Sequence, residues 1–500
     1  MSTPIGFTPA QTGLSRVFLI EWRARVDRVP AYQSCLKMEG IDWSLGDIEK
    51  IQCPDPNNYN QFIEVGQIQG ASDRPSTSLV GHYALDLRST LLRLARIGCP
   101  LDVQLHMGAC THPANFNQFS KAIILEDVLL SSYGTDPLGA IGEDEKDKVD
   151  ETVDISFSDL YEVVPLDYIE RAGDVVTNEI IDMTRCDVMS CGECGDLSDG
   201  CSRFYGLTLT AGGSPGTPAD VIFSLDKGTT WAAHDVDTAT GSPNALACVD
   251  DYVVVVSNFD GGHHYALKSE FDSGVDPVFT QQLLGYVGDP NDIWSLGPFA
   301  FVVGEGGYIY AMADPVDAVT VLDAGVANVE DYNAVHAISE LVAVAVGDDG
   351  AVAYTLDGTG WQAPPTRPVG LGVDLQCVWV MSEDYWWVGT DAGDLYYTID
   401  RGVTWVNKGF PGSGAGWVWD IQFPTPSVGF MAHATAGPAG RILRTFDGGY
   451  SWTIAPVGAG TFPANDRIRA IATCPEDANI VVGGGLADLT ADGIVVVGRD

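Results

Sequence analysis

The stretch Tyr397–Trp405, YTIDRGVTW, has three close copies: FSLDKGTTW (Phe223–Trp231), YTLDGTGW (Tyr354–Trp361) and RTFDGGYSW (Arg444–Trp452). Each sets a serine or threonine two residues before an aspartate, glycine just after it, and tryptophan at the end. The anchors Ser224, Thr355, Thr398 and Thr445 are 131, 43 and 47 residues apart. The first interval is about three periods of roughly 44, so two further copies belong between the first two boxes. They are present as hairpins that have lost the box: VVVVSNFDGGHHYALKS (Val253–Ser269) and FAFVVGEGGYIYAMAD (Phe299–Asp314).

The same strand, glycine turn and strand recur in LVAVAVGDDGAVAYTLDG (Leu341–Gly358), YWWVGTDAGDLYYTID (Tyr385–Asp400) and VGFMAHATAGPAGRILRTFDGG (Val428–Gly449), with a first copy at Tyr205–Asp226 and a last at Asn479–Asp500. Gly-Asp, Asp-Gly and Gly-Gly supply the positive φ of tight hairpins. A unit of 40 to 50 residues holding strands and almost no helix signal suits a four-stranded propeller blade. The spacing predicts seven blades over residues 203–500. GIVVVGRD at the end leaves its blade one strand short, and VVTNEIIDM (Val175–Met183) is expected to supply that outer strand and close the ring.

The box has a structural reading. Its aspartate accepts backbone N–H groups in the turn between third and fourth strands, its glycine permits the φ reversal, and its tryptophan packs between blades. The residues concerned are Ser224, Asp226, Gly228, Thr230 and Trp231; Thr355, Asp357 and Trp361; Thr398, Asp400, Gly402, Thr404 and Trp405; and Thr445, Asp447, Gly449, Ser451 and Trp452.

Charge bounds the partners. Of the 500 residues, 26 are basic and 68 acidic, a net −42. Thirteen basic and 25 acidic residues precede position 171 (−12), leaving 13 and 43 after it (−30). Such a surface repels nucleic acid. It reads as a solvating coat suited to a saline habitat, or as a surface that sequesters divalent cations. No apolar run reaches the roughly 20 residues a bilayer span needs, and MSTPIGFTPAQTGLSRVFLIEW lacks the pattern of a signal peptide. Folding in the cytoplasm is therefore expected, with the 11 cysteines as thiols or clustered metal ligands. CDVMSCGECGDLSDGC spaces Cys186, Cys191, Cys194 and Cys201 as C-x4-C-x2-C-x6-C. That spacing allows a structural zinc, two disulfides or free thiols, each a staple or spacer in a linker spanning 166–202.

Catalytic strings are sparse. GGSPG (Gly212–Gly216) matches G-x-S-x-G but puts proline after the serine and leads into a strand, so a hairpin loop is expected. His263 and His264 are read as an exposed turn. The boxes resemble those of Asp-box propellers: sialidases, the sortilin luminal domain and photosystem assembly factors. A sialidase would need an arginine cluster, a tyrosine nucleophile with a glutamate, and an acid/base aspartate. The arginines of this region (Arg185, Arg203, Arg367, Arg401, Arg441, Arg444, Arg467, Arg469 and Arg499) show no such cluster in sequence, and no FRIP-like motif opens the region. The resemblance thus implies the fold and no catalytic residue.

Residues 1–165 differ in texture. Strand-like runs surround one amphipathic helix candidate, LDLRSTLLRLARIG (Leu85–Gly98), and an acidic loop, GEDEKDK (Gly142–Lys148). GIDWSLGDIEKIQCPDP (Gly40–Pro56), DRPSTSLVG (Asp73–Gly81), the helix candidate and VDETVDISFSDLYEV (Val149–Val163) together resemble siphovirus tail tube proteins. That resemblance implies a mainly β chain: an oligomerising β-sandwich with one helix over 1–165, then the seven-bladed propeller. It further implies homohexameric rings stacked into a tube, contacts to adjacent rings through the loop Gly40–Ala71, other phage tail proteins as partners, and genomic DNA passing an acidic lumen unbound. A virion tail protein assembled in the host cytoplasm follows, its propeller facing outward to contact host glycans or spread a solvated coat. It would be no enzyme and need no cofactor beyond the possible zinc. The competing expectation is a soluble Asp-box glycan-binding protein or glycosidase with an accessory sandwich.

Overall fold

The computed structural model describes residues 18–24, 30–42, 48–55, 58–69, 76–82, 101–107, 121–135, 150–163, 168–176, 178–186, 203–209, 219–236, 243–257, 262–272, 276–283, 285–325, 327–409, 416–435, 440–455, 467–474, 479–486 and 493–499. The chain divides into two units, Met1–Pro165 and Leu166–Asp500.

The first unit contains β1 (Phe18–Ala24), β2 (Pro30–Asp42), β3 (Ile48–Asp55), β4 (Asn58–Gln69), β5 (Ser76–His82), β6 (Leu101–Met107), β7 (Lys121–Thr135), β8 (Asp150–Ser156) and β9 (Asp159–Val163). The order β6-β1-β2-β5-β8-β7 is antiparallel throughout, and β7 returns to pair with β6, so the ladder closes on itself. Strand β7 manages this by dividing its length: Lys121–Val128 run beside β6, and Leu129–Thr135 run beside β8. Asp127, at φ 52°, marks the division, and its N–H donates to Asp102 Oδ1 at 3.2 Å. Val153, Ile155 and Phe157 alternate into the interior, where Val103, Ile124 and Val128 are also buried. One antiparallel sheet thus holds these strands, joined at its ends through the two halves of β7. Strands β3 and β4 pair only with each other among the described residues, from Ile48↔Gln69 to Asp55↔Asn58. The helix expected at Leu85–Gly98 and the loop Gly142–Lys148 lie outside the described residues.

The second unit is a β-propeller. After β10 (Tyr168–Val176) come β11 (Ile180–Arg185), β12 (Phe204–Thr208), β13 (Ala219–Ser224) and β14 (Ala232–Val236), which make the first small antiparallel sheet in that order. Six more sheets follow among the described residues, with inner strands Pro243–Val249, Pro290–Leu296, Tyr332–Ala337, Leu375–Val380, Gly416–Gln422 and Arg467–Thr473. Each inner strand touches the next, and the last touches β11, which completes a circuit. Second strands such as Tyr252–Ser257 are buried on both faces between neighbouring sheets, which is why VVVV reads as an unbroken apolar run. Core clusters join neighbouring sheets; Val254 and Val256, for example, pack with Val302 and Tyr310.

The closing strand differs from the expected one. Strand β10 takes the outermost place in the seventh sheet, paired antiparallel with Gly493–Arg499 from Tyr168↔Arg499 to Val176↔Gly493. Strand β11 is instead the inner strand of the first sheet. The segment Val175–Met183 straddles both, its polar centre being the connection between them. These strands also shorten the expected linker 166–202 at its start. Among the described residues no helix is long and apolar enough to cross a membrane.

Candidate functional site

Three Asp boxes occupy turns between the third and fourth strands of their sheets, and the Thr355–Trp361 box follows the last strand of a three-stranded sheet, where Tyr354 and Gln362 form a single bridge. Ser224 Oγ donates to Asp226 Oδ1 at 2.9 Å and accepts the Gly228 N–H at 2.8 Å. Asp226 accepts the Thr230 N–H at 2.8 Å and the Thr230 hydroxyl at 2.7 Å. The set repeats around Asp400, with Thr398, Gly402 and Thr404, and around Asp447, with Thr445, Gly449 and Ser451. The shorter box turns differently: Asp357 accepts from Thr355 Oγ1 and from the Thr359 and Gly360 N–H groups. The Gly360 N–H, then that of Thr359, hold its carboxyl at about 2. Each box leans on the preceding sheet. Trp231 packs with Val482, Val495 and Val497, and Trp361 meets Phe301 edge-on at 5.6 Å. Trp452 shares a core cluster with Trp387 and Leu395 of the fifth sheet, and the Trp405 indole N–H donates to Thr366 O.

The inner strands share another device. Every one carries a register shift near its start, and the bulge residues are Ile181, Asn244, Asn291, Asn333, Gln376, Trp419 and Arg469. A bulge turns its extra side chain out of the ladder. In three consecutive sheets that side chain ties the ring together: Asn244 Nδ2 donates to Pro290 O at 2.8 Å, Asn291 Nδ2 to Tyr332 O at 2.9 Å, and Asn333 Nδ2 to Leu375 O at 3.2 Å. One residue further on, three carboxylates bridge in the same direction. Asp182 accepts the Leu246 N–H at 2.7 Å, Asp292 the Val335 N–H at 2.8 Å, and Asp420 the Ile471 N–H at 2.9 Å.

These strands enclose an axial cavity of about 920 Å³. Three positions beyond the bulge residues, Trp294, His336 and Trp379 stand on the third to fifth inner strands. The His336 ring lies 4.2 Å from Trp294 and 3.9 Å from Trp379. Its Nδ1 accepts the Val380 N–H, so Nε2 holds the proton, and burial depresses its pKa to about 3. Ala472, Thr184 and Ala247 occupy the same position on the seventh, first and second sheets, leaving the cavity open there. Asp182, Asp292 and Asp420 face the cavity from deep in the fold. Desolvation is the main cause raising all three, Asp292 to about 6 and Asp420 to about 7, and mutual repulsion adds to it at Asp182 and Asp420.

Arg185, Arg203 and Arg469 all line this cavity, which the sequence reading could not foresee. Arg469 sits at a bulge and Arg185 four positions further along its strand, about 13 Å apart in axial height at ~3.3 Å per residue. Among the described residues no group of three or more His, Cys, Asp or Glu is disposed to hold a metal ion. Cys186 is bonded to Cys248, with Cα atoms 5.5 Å apart. At Cys186 this differs from the expected zinc, disulfide or thiol cluster: the residue lies beside the second inner strand rather than with its sequence neighbours. Cys191, Cys194 and Cys201, like GGSPG, lie outside the described residues. The histidine pair is corrected too. His263 and His264 open a returning strand and are buried; the His263 ring bonds Tyr286 OH at 3.0 Å and Pro315 O at 2.7 Å. Burial lowers the His263 pKa to about 4.

The fold and cavity define a β-propeller with Asp-box turns. No family model matches the chain, and no curated protein matches it. Among solved structures it is similar to YCF48 bound to D1 peptide, at 17% identity over 67% of this chain and 99% of that one (TM-score 0.48). It is also similar to YCF48 from Cyanidioschyzon merolae, at 14% identity over 66% and 99% (TM-score 0.49), and to the WD40 β-propeller domain of Doa1, at 11% identity over 67% and 97% (TM-score 0.46).

Proposed function

We propose that the chain is a virion structural protein whose first unit assembles into a tail tube of stacked hexameric rings and whose second unit, a seven-bladed propeller, decorates the outside. The observation that carries this reading is the architecture of the first unit: a closed antiparallel circuit beside the separate hairpin β3–β4. That hairpin falls within Gly40–Ala71, the segment the tail tube resemblance assigns to contacts between rings. A paired hairpin with open edges is suited to joining another subunit's sheet. DNA would pass an acidic lumen without adhering, since like charges repel. The chain has no catalytic role in this reading. Negative-stain microscopy of the purified full-length protein tests it: six-fold rings or tubes with outward knobs are expected, and a monodisperse monomer at all concentrations would overturn it.

One observation favours a second reading, a soluble glycan-binding propeller. The axial cavity is large enough for a small-molecule ligand and carries both aromatic and charged walls. That reading predicts a monomer that retains glycans without forming rings.

A further inference from the structure

Around the ring of bulges, the second to fourth sheets use asparagine, and each amide is engaged with the next sheet's carbonyl. The fifth to seventh sheets replace it with Gln376, Trp419 and Arg469. These three do not repeat the carbonyl bond. The Gln376 amide has no hydrogen-bond partner among the described residues. The Trp419 Nε1 is buried at the cavity wall, with no acceptor among the described residues. Trp361, Trp386, Trp387 and Trp452 also lack one, but they are packed in the core, and only Trp419 among these five lines the cavity. Arg469 lies over the Trp419 ring at 4.7 Å and loosely faces Glu179 at 3.9 Å. Two residues before Trp419 on the same strand, Trp417 stacks on it at 4.2 Å and an interplanar angle of 26°. Trp417 is 40% exposed, whereas the other described tryptophans of the propeller are buried or half-buried.

We propose that this arc, Gln376, Trp417, Trp419 and Arg469 with Glu179, is a binding site for neutral hexose oligosaccharides at one mouth of the axial cavity. The chemistry is that of sugar recognition: an exposed flat apolar ring at Trp417 for the C–H face of one pyranose, with the Gln376, Trp419 and Arg469 donors and the Glu179 acceptor further along the arc for the hydroxyls of neighbouring units. A pyranoside would also supply the acceptor that Trp419 Nε1 lacks. Charge selects among glycans. Arg469 already faces Glu179, and the chain carries −42 overall, so polyanionic glycans are repelled on approach. The proposal rests on the reading of the propeller as an outward-facing contact domain and gives that contact a place and a ligand class.

The test uses the full-length protein on an array of neutral hexose oligosaccharides together with sialylated and uronate-bearing counterparts and unrelated peptides, followed by calorimetric titration of the best neutral binder. Binding to neutral oligosaccharides is expected, weakened at least tenfold in Trp417→Ala and severalfold in Trp419→Phe, which keeps the ring and removes the N–H. Trp417→Ala alters an exposed side chain, and an unchanged melting temperature verifies its fold. Absence of neutral binders, preference for acidic glycans or peptides, or full affinity in Trp417→Ala would each overturn the proposal. Ring assembly is read separately by microscopy, so tubes without glycan binding defeat the site alone, and glycan binding by a monomer defeats the tail reading alone.

Discussion

At the scale of single residues, the three axial aspartates connect protonation to stability. Asp292 and Asp420 have folded pKa values of about 6 and 7, above the ordinary carboxylate value, because burial disfavours their charge. The folded state then holds more protons than the unfolded chain between about pH 4 and 7, so their contribution makes stability fall as pH rises through that window. Asp292→Asn keeps an oxygen for the Val335 N–H and has no charge to form. Its melting temperature is expected to depend less on pH between 4 and 6 than that of the parent, read by thermal melts across that range. Gly449 gives a second prediction. Its φ is 89°, and an added Cβ would strike the Trp387 ring. Gly449→Ala should cost on the order of 2–4 kcal/mol, measured as a lowered denaturation midpoint. The box residues were legible because their spacing is local. The inner strands were not, although PNAL (Pro243–Leu246), PNDI (Pro290–Ile293) and YNAV (Tyr332–Val335) repeat a signal that aligning by strand start would have exposed. The histidine pair misled because the strand begins at Gly262, so both histidines fall inside it.

At the scale of elements, ring closure and the staple between the first two sheets depend on partners far apart in sequence. Hairpins without a box, such as Phe299–Gly304 with Tyr308–Met312, were readable from alternation and turn glycines. The partner of Gly493–Arg499 could be sought only upstream, and its boundaries were displaced because a three-residue connection separates two strands of different sheets. Removing β10 should be severe. A chain beginning at residue 166 is expected to unfold cooperatively in urea, whereas one beginning at residue 178 leaves the seventh sheet's outer edge unpaired and should lose several kcal/mol. The Cys186–Cys248 bond closes a separation of 62 residues. The chain-entropy model gives it about 4 kcal/mol. Cys248→Ser should lower the melting point of oxidised protein and leave that of reduced protein nearly unchanged.

At the scale of the molecule, charge and connectivity set the terms. Residues beyond 170 carry a net −30, concentrated in the propeller. Self-repulsion of this kind is screened by salt, with a Debye length of about 10 Å at 0.1 M and 3 Å at 1 M. The melting temperature is therefore expected to rise between 0.05 and 1 M NaCl, and a decrease would show that local ion pairs such as Arg469–Glu179 outweigh the overall repulsion. Connectivity also has a consequence in time. On the ribosome, β10 is made more than 300 residues before the strand it pairs with, a wait of roughly 15–60 s at about 5–20 residues per second. Its sequence, YIERAGDVV, is suited to waiting: Glu170, Arg171 and Asp174 interrupt an edge that would otherwise invite a stranger, while the late-made GIVVVGR meets a finished ring at once.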